Sequence, residues 1–401
     1  MLWLPFTQMA GFDAGARRFV RGEGNYLFDE RGNRLLDAVS SIWTTLHGHC
    51  HPYIIECISK QAAKLDHSTL LGATNPAAEE LAARLCLLAN MHAAFFSGDG
   101  ASAVEAALKM ALQFWQNQGQ SHRNRFVHLR DSYHGDTAGA MSVSDIELFK
   151  GRFTGLTFSS ATYDGFAELR LDDVAAVIVE PIVQAAAGMR IVPSETYAKL
   201  PDMDALLIVD EIATGFGRTG TMFAHEQLGG LKPDLLVLGK GLSGGTVALS
   251  ATLATSSVYE SFLGDFSKQK HLFHGHSYAG NPIACAAALA SLDIFERNDV
   301  LGHVATMSRE TRDSSQRLAI RDDVTDVRGA GLMYAVQVDA ARIAEGAGPP
   351  AAWRIAERLY ERGFFTRPIG EAIQFVPPLS IEVKEIGAFF DALEQVLDEL
   401  S

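Results

Sequence analysis

Lys240 sits in the stretch LGKGLSGG (238–245), between two glycines and directly after the apolar run 235–238. An amine at the end of a buried strand loses hydration, its pKa falls, and it becomes a nucleophile for carbonyl carbons. Asp210 closes a second apolar run, ALLIVD (205–210), where desolvation calls for a cation or donor opposite it. The turn SGDGAS (97–102) leads into a helical pattern, and its glycines let backbone N–H groups approach a phosphate at the positive helix end. The plain alternatives are a solvated loop lysine, a structural salt bridge and a tight connection.

Gly239, Gly241 and Gly244 also satisfy G-x-G-x-x-G. A dinucleotide site needs a helix directly after those glycines and an acid about 20 positions on, at the next strand end. Glu260 stands at a passable distance, but TVALSATLAT (246–255) is β-branched and reads as a strand. Lys240 is followed by Gly241, so no Walker pattern exists either. The flanking glycines are expected instead to give the Lys240 amine room to move. If the phosphate cradle, an aromatic, the acid and the lysine converge, one ligand meets every demand: pyridoxal phosphate. The rival is a metal. His47, His49 and His51 alternate in HGHCHP, with further histidines in HLFHGHSY (271–278), although Gly and Pro turns interrupt the alternation.

These residues need strand ends to hold them. The runs AAFF (93–96), RFVHL (125–129), VAAVIVE (174–180), ALLIVD and LLVLG (235–239) alternate with helix-length segments, which predicts an α/β domain with a mostly parallel, buried sheet. Polar residues follow each run, among them Tyr133-His134-Gly135-Asp136 and Glu180-Pro181. SAVEAALKMALQFWQNQ (102–118) predicts a long packed helix. YLFDERGNRLLD (26–37) predicts a hairpin around Gly32-Asn33. Beyond Arg297, amphipathic helices are expected over 351–362 and 384–400, around the strand-like AIQFVPPL, with a loop at 344–351. The expected division is a large domain over 51–296 and a smaller α+β domain formed by both termini, 1–50 and 297–401.

The chain has 401 residues, 47% hydrophobic, with a net charge of −14 and pI near 5.4, so nothing favours nucleic acid over small molecules. No run approaches the length of a membrane span, and the N-terminus lacks a basic, apolar leader. Cys50, Cys57, Cys86 and Cys285 form no C-x-x-C pair and are expected as core thiols in a cytoplasmic protein.

IVDEIATGFGRTG (208–220), PDLLVLGKGLSGG (233–245), YHGDTAGAMSV (133–143), IVEPIVQAAAGM (178–189) and HGHSYAGNPIACAAALASL (274–292) resemble the class III aminotransferases of fold type I. The likeness runs along essentially the whole chain. WLPFTQM, SSIWTTLHGH (40–49), KMALQFW (109–115), HGDTAGAMSVSD and TRPIGEAIQFVPPL (366–379) narrow it to the branch that aminates 8-amino-7-oxononanoate in biotin synthesis. The resemblance implies a pyridoxal-phosphate enzyme with Lys240 bound to the cofactor and carrying protons. It implies Asp210 on the pyridine nitrogen, Ile212 and Tyr133 on the two ring faces, and Gly100 and Ala101 on the phosphate. Ser277 would reach that phosphate from a neighbouring subunit, hence a homodimer. For the substrate it implies Arg367 on the carboxylate, Trp43 and Phe6 as apolar wall, and Asp136 as a polar contact.

Departures bear on the amino donor. Ile42-Trp43 and Phe6 replace the Trp-Trp pair and Tyr of the branch using S-adenosylmethionine, while HSTLLGATN and HGHSYAGN look closer to the branch using lysine. Relatives also carry more chain between Phe153 and Asp173 and between Pro193 and Leu206. Two other readings stand beside this one: a different ω-amine or ω-amino-acid transaminase using pyruvate or 2-oxoglutarate, and a non-catalytic or His-rich metal-binding protein.

Overall fold

The computed structural model describes residues 2–10, 17–164, 170–343 and 349–400. The loop expected at 344–351 therefore lies largely outside the described residues.

The apolar runs become strands of one seven-stranded sheet. Its spatial order is Ala93–Ser97, Ser250–Ala254, Leu235–Leu238, Leu206–Asp210, Val174–Val179, Arg125–Leu129 and Ala161–Tyr163. Only Ser250–Ala254 runs against its neighbours, and it is the strand that takes the place of the helix a dinucleotide site would need. Successive residues of a strand face opposite sides, and both sides are covered: Ile208 packs with Ala107, Ala111 and Val237, whereas Leu207 and Val209 pack with Leu85, Leu236 and Leu292. That double burial is why the strands read as unbroken apolar runs. Ala161–Tyr163, three residues long, is too short to show a period in the sequence.

The expected long helix is Gly100–Asn117. Val104, Ala107, Leu108, Ala111 and Trp115 fall on its buried stripe, and the Trp115 indole N–H donates to the Ala175 carbonyl at 2.8 Å. Asp99 caps its start by accepting the Ser102 N–H at 2.9 Å, a bond whose loss costs about 1 kcal/mol.

Both ends of the chain meet in a four-stranded sheet. The hairpin strands Tyr26–Asp29 and Arg34–Asp37 lie where expected, flanked by Phe19–Glu23 and, in parallel, by Phe364–Phe365. A three-stranded antiparallel sheet of Val324–Ala330, Met333–Val338 and Ala372–Phe375 lies under helices Ala351–Glu361 and Val383–Leu400. Phe389 and Phe390 of the last helix meet Phe375 of the sheet in tilted and edge-on ring contacts.

The cysteine expectation needs correction. Cys285 is buried, but Cys57 and Cys86 are half-buried and Cys50 is exposed, in a loop where its φ is 54°. All four are free thiols. No helix among the described residues is long and apolar enough to cross a membrane.

Candidate active site

Six strands of the large sheet share one direction, so their carboxyl ends open on a single edge, where a cavity of about 460 Å³ lies. Such a volume suits a cofactor and part of a substrate. Eight of the residues singled out from sequence line it: Lys240, Asp210, Tyr133, Gly100, Ala101, Ile212, Trp43 and Asp136. They arrive from the ends of four of the apolar runs and from the segment at 40–45.

Lys240 opens a short 3-10 turn after Leu235–Leu238, with φ at 40°. Its amine finds no hydrogen-bond acceptor among the described residues and lies 5.1 Å from the centre of the Trp43 ring. Burial pushes its pKa down, with Asp210 and Glu180 pulling the other way. Two of the glycines that follow Lys240 also have a packing role. A Cβ on Gly241 would lie 2.9 Å from Leu46, and one on Gly245, at φ 81°, would lie 2.4 Å from the Thr44 carbonyl carbon. They seat the lysine turn against the segment that carries Trp43.

Asp210, the last residue of its strand, is 4% exposed. One carboxylate oxygen pairs with His134 Nδ1 at 2.7 Å and the other accepts the Ile212 N–H at 3.0 Å. The Nε2 of His134 is buried without a partner. Tyr133 donates its hydroxyl to Asp136 at 2.8 Å and its N–H to the buried Glu180 at 3.0 Å. Burial, and then the nearby Asp210 carboxylate, hold the Glu180 carboxyl well above the usual range. In the sequence His134 and Glu180 stand at strand ends, with nothing to give either a role. Their partners come from strands 76 and 47 residues away along the chain.

These residues fit pyridoxal phosphate on three counts. At the start of Gly100–Asn117 the N–H groups of Gly100 and Ala101 have no acceptor among the described residues, which suits an anion. A Cβ on Gly100 would come within 2.9 Å of the Ile212 side chain, so glycine lets Ile212 pack closely against this turn. Across the cavity stand an unpaired amine and an oriented carboxylate.

Three expected residues lie outside the cavity lining. Ser277 is exposed. Phe6, 57% exposed, packs edge-on against Phe149, which packs edge-on against Tyr133. Arg367 is half-buried and has no carboxylate partner among the described residues. It donates to the Phe6 carbonyl at 3.2 Å and lies 5.7 Å over the Trp353 ring, and burial lowers its pKa. Phe365 and Ile369 on either side of it belong to the same apolar cluster as Trp43, Ala185 and Ala186 of the cavity wall.

The histidines do not converge. His47 bonds Ser291 at 2.9 Å and His49 bonds Asp37 at 2.8 Å, and no metal-holding group of His, Cys, Asp or Glu exists among the described residues.

The sequence profile of the family Aminotransferase class-III matches residues 13–397. The chain belongs to the class III aminotransferases. It is 41% identical to the adenosylmethionine-8-amino-7-oxononanoate aminotransferase of Methanocaldococcus jannaschii, over 99% of this chain and 96% of that protein. With the enzyme of the same name from Geobacter sulfurreducens it shares 38%, over 98% and 95%. The crystal structure of the Methanocaldococcus jannaschii enzyme superposes with a TM-score of 0.92 at 40% identity, covering 100% of this chain and 97% of that one. An amine transaminase from an uncultivated Pseudomonas species, solved with pyridoxal phosphate, gives 0.91 at 32%, covering 100% and 99%. The fold is therefore that of the fold type I transaminases, and the enzyme is a pyridoxal-phosphate-dependent aminotransferase. The first alignment runs over 443 positions against 401 residues, so that relative carries additional chain.

Proposed function

We propose that this enzyme aminates the ketone of 8-amino-7-oxononanoate to give 7,8-diaminononanoate in biotin biosynthesis. The observation that carries this reading within the site is an apolar cluster with the lysine cavity on one side and an unpaired arginine on the other. A long keto acid needs that combination: a distant cation for its carboxylate and an apolar passage for its methylenes. The names of the relatives above agree with it.

Pyridoxal phosphate, when bound, supplies an electrophilic carbon and a ring that accepts an electron pair. The chain's own residues do the rest. Lys240, its pKa lowered by burial, takes the proton from the donor's carbon and later returns one to the acceptor's carbon. Asp210, fixed by His134 and the Ile212 N–H, holds a proton on the ring nitrogen. Ile212 and Tyr133 bracket the ring, and Gly100 and Ala101 anchor the phosphate. Arg367 receives the carboxylate as a fork, with Trp43 and Phe6 as walls and Asp136 as a polar contact.

The donor is S-adenosylmethionine or lysine. The relatives' names favour the first, and Ile42 and Phe6 leave room for the second. We place the enzyme as a homodimer in the cytoplasm. Ser277 adjoins a surface that exposes Phe266, Phe273 and Tyr278, which suits cover by a second copy. The free thiols suit a reducing compartment. The likeness to an amine transaminase supports a second reading, in which a simple ω-amine is the substrate.

A single-turnover assay separates these. S-adenosylmethionine, lysine and alanine are offered separately, the visible absorbance of bound cofactor is followed, and 8-amino-7-oxononanoate is then added. The true donor bleaches that absorbance, and the keto acid restores it. If the keto acid fails to restore it after any donor, the amine-transaminase reading takes over.

A further inference from the structure

In the sequence Gln374 is only a polar residue within a strand. It lies in Ala372–Phe375, 1% exposed, and its side-chain amide is used at both ends. Its Oε1 accepts the Trp43 indole N–H at 2.8 Å, and its Nε2 donates to the Arg367 carbonyl. Its own carbonyl accepts the Thr366 hydroxyl at 2.7 Å. One buried amide thus grips the ring beside the Lys240 amine and the backbone of the arginine beyond the apolar cluster.

Trp43 needs such a grip. It ends a run of four consecutive residues, Ser40 to Trp43, with φ between 47° and 68°. Left-handed conformations of this kind are sparsely populated by residues other than glycine and persist only where surrounding contacts hold them. A second route closes the frame on the other side, from Tyr133 through Phe149 at 5.6 Å and Phe6 at 5.4 Å to Arg367.

We propose that Gln374 is a positioning residue that fixes the separation between the reacting end of the site and Arg367, and so selects the length of the acceptor's chain. This rests on Arg367 receiving the acceptor's carboxylate. The chemistry suits an amide, which accepts at one atom and donates at another and so serves an indole N–H and a carbonyl together. A carboxylate accepts only, and an aliphatic chain does neither.

The test compares the wild-type holoenzyme with Gln374→Glu and Gln374→Met. The acceptors are 8-amino-7-oxononanoate and its homologues one methylene shorter and longer. Nonanoate binding, read by intrinsic tryptophan fluorescence, gives an affinity that needs no turnover. The wild type should prefer one length. Both variants should raise KM for that length about tenfold, the size expected when buried donors or acceptors lose partners, with a smaller fall in kcat. They should flatten the length preference and weaken nonanoate by a similar factor. Gln374→Glu keeps the indole bond but sets an unpaired, buried oxygen against the Arg367 carbonyl, and should be at least as severe as Gln374→Met. An unchanged length preference overturns the proposal, and so does an equal fall in kcat at every length accompanied only by a lower melting temperature. If the wild type turns over none of the acceptors yet binds nonanoate in a Gln374-dependent way, the clamp stands and the acceptor assignment falls. If it turns them over with a preference insensitive to Gln374, the acceptor assignment stands and the clamp falls.

Discussion

The floor of the cavity and its far wall are built on opposite principles. Lys240, Asp210, Glu180 and His134 stand at or just past the ends of regular strands in a sheet buried on both faces, and a hydrogen bond from His134, which comes from a strand two places along the sheet, orients the acid. The wall is assembled from pieces at 40–45, 149 and 366–374 that share no sheet with the floor, and at 40–43 the backbone itself is strained. Left-handed residues cost about 1–2 kcal/mol each, and that cost is offset by side chains. Asp37 accepts the Ser41 hydroxyl at 2.9 Å, and the Ser40 hydroxyl donates to the Val376 carbonyl at 2.6 Å. The buried Arg218, without a carboxylate in contact among the described residues, ties the carbonyls of Thr45 and Pro377 together. Rigid strand ends suit chemistry common to every substrate, whereas a wall tied by individual side chains can be re-cut for one.

If that division holds, floor substitutions should depress kcat and wall substitutions should raise KM. Lys240→Ala removes the proton carrier and should lower kcat by about 10⁴-fold or more, with the visible absorbance of bound cofactor altered. Asp210→Asn keeps the shape but loses the charge facing the ring nitrogen, and should lower kcat by roughly 10²–10³-fold. Rapid-mixing measurement of both half-reactions checks the two together. A floor variant that changes KM alone breaks the division.

The floor is also the legible part. A strand buried on both faces has no alternating pattern to hide a charge in, so Asp210 and Lys240 stand out as the points where apolar runs stop. The Gly-rich turn at 97–102 announces a helix start for the same local reason. Gln374 and Phe149 give no such signal. A glutamine inside AIQFVPPL looks like an ordinary strand residue until Trp43, 331 positions away, is seen to donate to it. The left-handed run at Ser40–Trp43 has no sequence mark either, because Ser, Ile and Trp are not residues that favour it. The histidines at 47–51 mislead in the other direction: His47 bonds Ser291 and packs edge-on with His51, while His49 bonds Asp37.

On the wall, Arg367→Ala should raise KM for 8-amino-7-oxononanoate about 10- to 100-fold, the range for losing a hydrogen-bonded charge partner, and should change kcat less. Arg367→Lys should recover only part of it, since a point charge lacks the fork. Steady-state kinetics across acceptor concentration reads both. An Arg367→Ala enzyme with wild-type KM would move the carboxylate elsewhere and leave the wall without its cation.

The smallest effect is the sharpest discriminator, because it has opposite signs in the two regions. Ile42 sits at φ 68°, is 37% exposed and belongs to none of the apolar clusters, so it contributes strain and little packing. Replacing it by glycine removes the steric penalty of a β-branched residue in that conformation and should stabilise the fold by roughly 1 kcal/mol, despite the added freedom of the unfolded chain. Ile212, also an isoleucine beside the cavity, packs into the close approach between Gly100 and Gly239. Ile212→Gly should instead destabilise by roughly 2 kcal/mol, through lost contacts and backbone entropy. Thermal midpoints of both variants, measured at one fixed cofactor concentration, decide the matter: a rise for the first and a fall for the second locate strain in the wall and packing in the floor. A fall in both would mean that the Ile42 side chain contributes more to the turn at Ser40–Trp43 than its strain costs.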